Sequence, residues 1–386
     1  MNTHENKAFS FALLAAIWAC ALGNVGGFVA PEIVFNLMGN RELSESAAGS
    51  MVALELLGLA LGSLGLSLAA DRLPVRMLAL LGAGLMVITQ YLSSTAQDPL
   101  YLMMLRFVCG LAQGLLFGLA NAVLANGPNP HARLAAANIV TVIVGSLLLY
   151  ILAPLQKAWS ELSLFTILAL ICLVLTPFCL GLQSRLVQHH QAPRSLGLPN
   201  AASYWLVLAI AIFSCGSGSA FTFSFLMGSG AGLEDGSINT VVSIAILAAI
   251  PGSLLCGVLG HRVHPLLPLL LSLAIHGLAS VSAANAGGMW SFSLGIAGIL
   301  FGVYFLLPYM QALSTRYDPL GATSAAIGGS FFLTMAGGAY VGGALVEVAG
   351  LPALGWLVVV CNLLTGLLVA IAVLGSKAKA MAASYA

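Results

Sequence analysis

Three ionisable residues, Glu32, Glu55 and Arg106, lie within long apolar stretches of this sequence. At 1.5 Å per helical residue, they fall at similar depths below one end of their segments. A central arginine in a bilayer costs about 2.5–3.5 kcal/mol, so Arg106 should face an acid or an internal cavity. A carboxyl group there can switch between neutral and ionised forms, so these residues predict a proton-coupling site. The alternative is that Glu32 is interfacial and that Glu55 and Arg106 form a static pair between helices.

Arg106 also belongs to a polar face of its own segment. At 100° per residue, Arg106, Gln113 and Asn121 fall within about 80° of one another, and most other positions are Leu, Val, Ala or Met. Three further segments carry comparable faces. We predict that the four faces line a solute cavity, charged in the N-terminal half and aromatic and hydroxyl-lined in the C-terminal half. The candidate cavity residues are Asn24, Phe28, Gln113, Phe117, Asn121, Ser214, Ser217, Phe221, Trp290, Tyr304 and Gln311. For each residue, ordinary helix packing is the alternative.

Composition indicates which elements must position these residues. The chain has 386 residues, of which 60% are hydrophobic and 6% are charged, too few polar groups to cover a water-soluble globule of this size. The apolar runs have helical length, because a hydrocarbon core of about 30 Å needs roughly 20 residues. The alternating segments of about ten residues that a β-barrel requires are missing. The sequence therefore predicts an all-α integral membrane protein.

The apolar runs predict twelve transmembrane helices in two pseudo-symmetric six-helix bundles. The predicted spans are 9–35, 47–70, 77–94, 100–125, 134–155, 162–182, 201–227, 237–259, 266–284, 289–313, 322–348 and 354–374. The first run is too long for the apolar region of a signal peptide, so we interpret it as a membrane helix. The polar stretch 183–200 separates the runs into an N-terminal bundle, 1–182, and a C-terminal bundle, 201–386.

The distribution of basic residues predicts the orientation. With a cytoplasmic N-terminus, Arg41 and Lys157 fall outside, Arg106 lies within a span, and every other base falls inside. The bases predicted to be inside are Lys7, Arg72, Arg76, Arg133, Arg185, Arg194, Arg262, Arg316, Lys377 and Lys379. We therefore expect both termini in the cytoplasm, in the inner membrane of a bacterium.

A repeated motif supports the duplication. The stretch 62–72, which begins Gly-Ser-Leu and ends Asp71-Arg72, recurs in part at 252–262, which also begins Gly-Ser-Leu and ends in Arg262. Twelve spans in two halves, with this basic turn after the second span, resemble the major facilitator superfamily of secondary transporters. A second family signature, an arginine followed by glycines on the fourth helix, is similar to Arg106-Phe-Val-Cys-Gly110-Leu-Ala-Gln-Gly114.

The resemblance implies a fold and a gate. Its cavity is lined by the first, fourth, seventh and tenth spans, and its basic turn acts as a cytoplasmic latch, here Asp71, Arg72 and Arg76. We expect Asp71 to bind near the positive N-terminal end of the eleventh span, at Ala322-Thr323. The sequence departs from the family signature where Ser67 and Pro74 replace glycines. The proline-containing glycine signature of many antiporters is missing from the fifth span, which argues against drug antiport.

Other reactive residues are interpreted as structural. The seven cysteines all lie in apolar runs, which indicates packing rather than disulfides. His189-His190 has no further ligands nearby, so we predict no metal site. His276, in mid-span, suits either a proton relay or a hydrogen bond to a neighbouring helix, and the bond is the favoured interpretation. We find no nucleophile and base pair or phosphate-binding loop, and predict no enzyme activity and no cofactor.

These observations together predict secondary active transport of a small organic solute by alternating access, coupled to protons, with export slightly favoured. The alternatives are a proton-coupled importer, a facilitative uniporter, which needs no titrating acid, or a membrane protein with no transport function. We expect the protein's partners to be the solute, protons and the lipid bilayer. A net charge of +1 gives no reason to expect nucleic acid. We expect a monomer.

Overall fold

The structure is a computed structural model that describes residues 3–69, 74–125, 130–182, 198–259, 264–318 and 322–384. Throughout those ranges the regular elements are helices, and no strand occurs. The chain divides into two compact units, one formed by residues 1–42 and 50–191 and the other by residues 43–49 and 192–386. The apolar sequence explains the helices, because only a helix satisfies backbone polar groups within one lipid-facing segment.

The N-terminal half of the chain provides seven α-helices. They are α1 (Thr3–Gly23), α2 (Val25–Arg41), α3 (Glu45–Ala69), α4 (Val75–Thr95), α5 (Pro99–Ala125), α6 (Pro130–Ala158) and α7 (Leu164–Leu175). Helix α7 continues as a 3₁₀ turn, Thr176–Gly181, with a proline in the first turn of that segment. Proline lacks a backbone N–H, which explains why the α-helical bonding changes there.

The C-terminal half provides eight α-helices. They are α8 (Ala201–Thr222), α9 (Ser224–Gly230), α10 (Asp235–Ile246), α11 (Ala249–Leu259), α12 (Leu266–Ala284), α13 (Met289–Ser314), α14 (Ala322–Ala349) and α15 (Pro352–Ser384). The core of this unit combines Phe213 from α8, Leu273 from α12 and Phe305 from α13. Their side chains are almost fully excluded from the surface.

Twelve helical segments in the described ranges are long and apolar enough to cross a membrane, as the sequence predicted. The first segment continues to Arg41, beyond the predicted end at residue 35, whereas the last span, Pro352–Gly375, agrees with the predicted 354–374. The last helix itself continues to Ser384. Arg41 is therefore part of a helix and not of a loop.

Four of the predicted spans are interrupted rather than continuous. The first is interrupted at Asn24 between α1 and α2, and the seventh at Phe223 between α8 and α9. Both residues have φ near −100° and ψ near zero, outside the α-helical region. The sixth changes to the 3₁₀ turn, and the eighth is divided between α10 and α11, two residues before Pro251. Interrupted helices free backbone groups that a continuous helix would bond internally.

The surface shows how the helices meet a bilayer. Many large apolar side chains are exposed along the helices, including Leu81 on α4 and Leu278 on α12. Four tryptophans are exposed. Trp159, Trp290 and Trp356 lie at or next to helix ends that the base distribution predicts outside, and Trp205 lies near the start of α8, at an end that it predicts inside. Among the cysteines, all described, six are buried and Cys215 is half-buried, and all seven are free thiols.

Candidate functional site

The site is centred on Arg106, on α5, whose side chain is fully buried. Its Nη1 donates to Glu55 Oε2 on α3 at 3.4 Å, and this contact is also an ion pair. Glu55 is buried as well. The structure thus brings two of the three predicted coupling residues into direct contact. A buried pair of this kind is stable only when further hydrogen bonds satisfy both charged groups.

Helix α4 supplies two of those further bonds. Arg106 Nη2 donates to Gln90 Oε1 at 3.0 Å and to Ser93 Oγ at 2.7 Å. Ser93 in turn donates to the Thr89 carbonyl oxygen at 2.6 Å. Gln90 and Ser93 are three residues apart, so both face Arg106 from one side of α4. The guanidinium is therefore held by two helices at once.

An aromatic ring completes the cationic side of the site. Arg106 Cζ lies 4.5 Å from the centroid of the Phe165 ring on α7, and Arg41 Cζ lies 5.8 Å from the same centroid. Arg41 also donates to the carbonyl oxygens of Ala96 and Ser93, at the C-terminal end of α4. A guanidinium over an aromatic face is stabilised by the ring quadrupole. Phe165 is thus shared by two cations.

Gln113 extends the acidic side. Its Nε2 donates to Glu55 Oε1 at 2.6 Å and to Cys109 Sγ at 3.4 Å. Glu55 therefore accepts one bond at each carboxylate oxygen, both from donors on α5. This arrangement suits an ionised carboxylate. Gln113 was predicted to line the solute cavity, whereas here it bonds the coupling acid.

Glycines allow α3 and α5 to approach closely enough for the pair to form. A side chain at Gly110 would overlap the Glu55 carbonyl oxygen, and side chains at Gly58, Gly62 or Gly114 would likewise overlap backbone carbonyls of the facing helix. The two helices thus cross on two glycine pairs, each spaced four residues apart, as in close-packed membrane helices. Gly110, which contacts the Glu55 backbone, follows Arg106 by one helical turn on α5, so the crossing brings Glu55 close to Arg106.

Glu32 does not join this cluster. Its Oε1 accepts from Gln156 Nε2 on α6 at 2.8 Å, and the side chain is buried. The partners of Arg106 are Glu55, Gln90, Ser93 and the Phe165 ring, so the predicted three-residue meeting is wrong in this respect.

The remaining candidate cavity residues of the N-terminal half lie near the interruption at Asn24. Asn24 is half-buried and makes no capping bond with its side chain. Phe117 and Asn121 are half-buried on α5, and Asn121 Nδ2 donates to the Phe117 carbonyl oxygen at 2.9 Å. Phe28 is buried, and its ring lies against Gly145 on α6. Phe28 therefore belongs to the packed interior of its unit.

In the C-terminal half, the hydroxyls predicted for the cavity are buried in helix contacts. Ser214 donates to the Ile210 carbonyl oxygen at 2.6 Å, and Ser217 donates to that of Phe213 at 2.9 Å. Phe221 is also buried. Tyr304 and Gln311 on α13 are half-buried.

Trp290 is placed differently from the prediction. It is the second residue of α13 and its side chain is 81% exposed. An exposed indole at a helix end is typical of a residue at the membrane–water interface. Its position thus favours an interfacial anchor over a cavity wall, because helical periodicity does not reveal how deep a residue lies.

His276 on α12 is bonded through both ring nitrogens. Asn362 Nδ2 lies 3.1 Å from Nδ1 and also donates to the Leu273 carbonyl oxygen at 2.9 Å. Ser217 Oγ lies 3.2 Å from Nε2 while its own proton goes to Phe213. These partners fit one neutral tautomer, with the proton on Nε2. The favoured interpretation of His276, a bond to neighbouring helices, agrees with this geometry.

Only part of the predicted gate lies within the described residues. Asp71 and Arg72 lie outside them. Arg76 Nε donates to the Leu182 carbonyl oxygen at 2.8 Å, at the end of the sixth span. The Thr323 N–H, where we expected Asp71 to bind, donates instead to Asp318 Oδ2 at 2.6 Å. The start of α14 is thus already capped by an acid of its own unit.

Sequence reasoning missed Gln90, Ser93, Phe165 and Arg41. The first two are three residues apart in an otherwise apolar span, and that spacing was the available signal. The sequence around Phe165 contained no such signal, because an aromatic residue in an apolar run is normally a packing residue.

Three buried polar atoms at the site lack a hydrogen-bond partner: Gln90 Nε2, Arg106 Nε and Gln113 Oε1. Two are donors and one is an acceptor. The described residues contain no group of three or more His, Cys, Asp or Glu that could hold a metal. The side chains at this site form an ion pair and a hydrogen-bond network around it.

Comparisons with known proteins agree with the architecture. A family model described as Major Facilitator Superfamily matches residues 8–339. A crystal structure of a mutant of the nucleoside transporter NupG superposes with a TM-score of 0.74 at 15% identity, covering 95% of this chain and 99% of that one. A bacterial homologue of the human lysosomal transporter Spinster superposes with a TM-score of 0.74 at 16% identity, covering 95% and 97%. No curated protein matches the sequence.

Proposed function

This chain belongs to the Major Facilitator Superfamily, and we propose that it carries a small organic solute across a membrane by alternating access, driven by protons. Membership implies a multi-pass membrane protein with a small-molecule substrate and points to a transporter rather than an enzyme. We further propose that the halves 1–182 and 201–386, joined by 183–200, are the two moving bundles. The base distribution supports a bacterial inner membrane with both termini inside.

The observation that carries the coupling proposal is the buried ion pair between Glu55 and Arg106. Arginine keeps its proton under all physiological conditions, so Glu55 is the member that can be neutral or charged. In a low-dielectric site the charged form depends on its bonds to Arg106 and Gln113. A movement that breaks these bonds would favour protonation, and their return would favour release.

The direction of transport follows from the order of binding. If solute and proton exclude each other, they exchange across the membrane, which is the export favoured from the sequence. If they bind together, they move together, which gives import on an inward proton gradient. A uniporter differs from both because its flux does not respond to a pH gradient.

Proton flux can be measured before the solute is known. The full chain would be reconstituted in proteoliposomes containing the pH-sensitive dye pyranine, and organic acids, sugars and nucleosides added one at a time. We expect at least one solute to change the internal pH with wild-type protein and not with Glu55→Gln.

Glu32→Gln is the matched control, because it removes a buried acid that bonds an amide rather than Arg106. It should retain solute-induced proton flux. Equal flux in Glu55→Gln and wild type would contradict the coupling role of Glu55, and loss in Glu32→Gln alone would move the role to Glu32.

A further inference from the structure

Two positively charged side chains near Phe165 have a single negatively charged partner. Arg41 and Arg106 both lie over its ring, and their contacts include one carboxylate, that of Glu55. Arg41 is bonded to backbone carbonyl oxygens, which carry no formal charge. Arg41 is half-buried, so water screens its charge in part, whereas Arg106 is fully buried. Glu55 therefore neutralises the one cation that water cannot reach.

Protonation of Glu55 would remove that compensation. The other groups facing Arg106 are the neutral side chains of Gln90 and Ser93 on α4. The buried thiols of Cys109 and Cys172 also lie near the pair. A protonated thiol carries no charge, so neither can serve as a counter-ion to Arg106. A buried cation without a counter-charge is strongly destabilising. Each time Glu55 takes up a proton, the site needs an anion from elsewhere.

We propose that the solute is an organic anion whose carboxylate replaces Glu55 as the partner of Arg106 when Glu55 is protonated. This inference rests on the proposed coupling by Glu55 and adds the chemical class of the solute. A planar guanidinium binds a carboxylate through two parallel N–H donors, and the acidic group that Arg106 binds in the structure is the carboxylate of Glu55.

The orphaned atoms of the site fit this occupant. Arg106 Nε and Gln90 Nε2 are buried donors with no partner, and a carboxylate offers about four acceptor positions. The third orphan, Gln113 Oε1, is an acceptor on the same amide that bonds Glu55. The Gln113 Oε1 atom could accept a hydrogen bond from the hydroxyl of a protonated Glu55. The site thus has unused donors for an anion and an unused acceptor for the added proton.

The direction of transport follows. Since the anion binds Arg106 when Glu55 carries the proton, anion and proton occupy the protein together. They then cross the membrane in the same direction, and an inward proton gradient drives import. This reverses the slight preference for export drawn from the sequence.

Thermal unfolding tests the anion site without knowledge of the natural solute. The purified full chain in detergent would be heated in formate or chloride at equal ionic strength, with chloride as the reference anion because it carries no carboxylate. In Glu55→Gln, Arg106 has lost its acidic partner. Replacing chloride by formate should raise the Tm of this variant by about 2 °C or more, with saturation.

Two controls isolate the guanidinium. Glu55→Gln combined with Arg106→Gln should show no difference between formate and chloride. Wild type should show no difference either, because the Glu55 carboxylate already pairs with Arg106. If Glu55→Gln does not fold, the same comparison is made on Glu55→Ala, which leaves room for formate beside Arg106.

The opposing outcomes are distinct. No difference between formate and chloride in Glu55→Gln, or in Glu55→Ala if Glu55→Gln is unfolded, would overturn the proposal. An equal difference in wild type or in the double variant would show that formate acts elsewhere than at Arg106, and would also overturn it. A formate effect without solute-induced proton flux would refute the coupling and leave the anion site in place, whereas flux without a formate effect would remove the anion site alone.

Discussion

Arg106 and Glu55 differ in what each can do when its partner is lost. A carboxyl group left alone in a buried site can take up a proton and become neutral, but a guanidinium cannot lose its charge. The pair is therefore asymmetric, and single substitutions should reveal this.

We expect Arg106→Gln and Glu55→Gln each to destabilise the protein by about 3–5 kcal/mol at neutral pH, and the double variant to recover most of that loss. Arg106→Gln should lie at the lower end of this range, because the carboxyl group that it leaves behind can be neutralised, whereas Glu55→Gln leaves a permanent cation. Thermal unfolding of the four proteins at pH 7 measures both effects. Additive losses in the double variant would show that the two side chains do not interact.

His276 has a structural role in this geometry, with both nitrogens bonded. His276→Leu leaves Asn362 and Ser217 without these bonds and should cost about 0.6–1.7 kcal/mol. His276→Gln, which keeps a donor and an acceptor, should cost less and leave the pH dependence of proton flux unchanged. A displaced pH profile in His276→Gln would instead support a proton relay.

The sequence located the pair because an acid and a base at similar depth in apolar segments have few other partners. The bond between Glu32 and Gln156 was not predicted, because an amide satisfies a buried acid without any charge pattern. The bond from Gln113 to Glu55 was not predicted either, since helical periodicity gives the direction of a side chain and not its partner.

At the scale of elements, the contact between α3 and α5 depends on glycines. Gly110→Ala would place a methyl group on the Glu55 backbone. We expect a loss of about 1–3 kcal/mol from overpacking and a weakened coupling pair. Gly65→Ala is the control, because Gly65 lies on the facing helix α3 and a side chain there meets nothing within 4 Å. Equal unfolding temperatures for the two variants would contradict a close crossing.

The helices themselves were predictable, and their interruptions were not. Twelve apolar runs of sufficient length leave little choice of secondary structure in a bilayer. The change of conformation at Asn24 or Phe223 depends on neighbouring helices. At Gly23, for example, a side chain would overlap the α5 backbone near Phe117, and this proximity has no local signature in the sequence.

At the scale of the molecule, the base distribution predicts which loops face outward. Reporter fusions after Asn40, Gln97 and Asp235 should all report a periplasmic position. A fusion after Gln191, in the connecting stretch, should report the cytoplasm. Cytoplasmic signals at two of the first three positions would contradict twelve spans with both termini inside.

The family resemblance predicts that Asp71 is part of a cytoplasmic latch. Asp71→Asn should lower transport while the amount of protein in the membrane stays unchanged, because the residue is a gate and not a packing group. His261→Asn is the control, since the second copy of the motif has His261 where the first has the acid. Wild-type flux in Asp71→Asn would refute the latch.

Asn24 joins α1 to α2 with a non-helical backbone conformation, so the first span changes conformation locally at this residue. The 17 residues of α2 extend about 25 Å beyond it. A tilt of α2 by about 10° at Asn24 would move its Arg41 end by about 4 Å. Arg41 donates to the Ser93 carbonyl oxygen, and the Ser93 hydroxyl accepts from Arg106. A small bend at Asn24 would therefore be transmitted through Arg41 and Ser93 to the hydrogen bonds of the buried guanidinium.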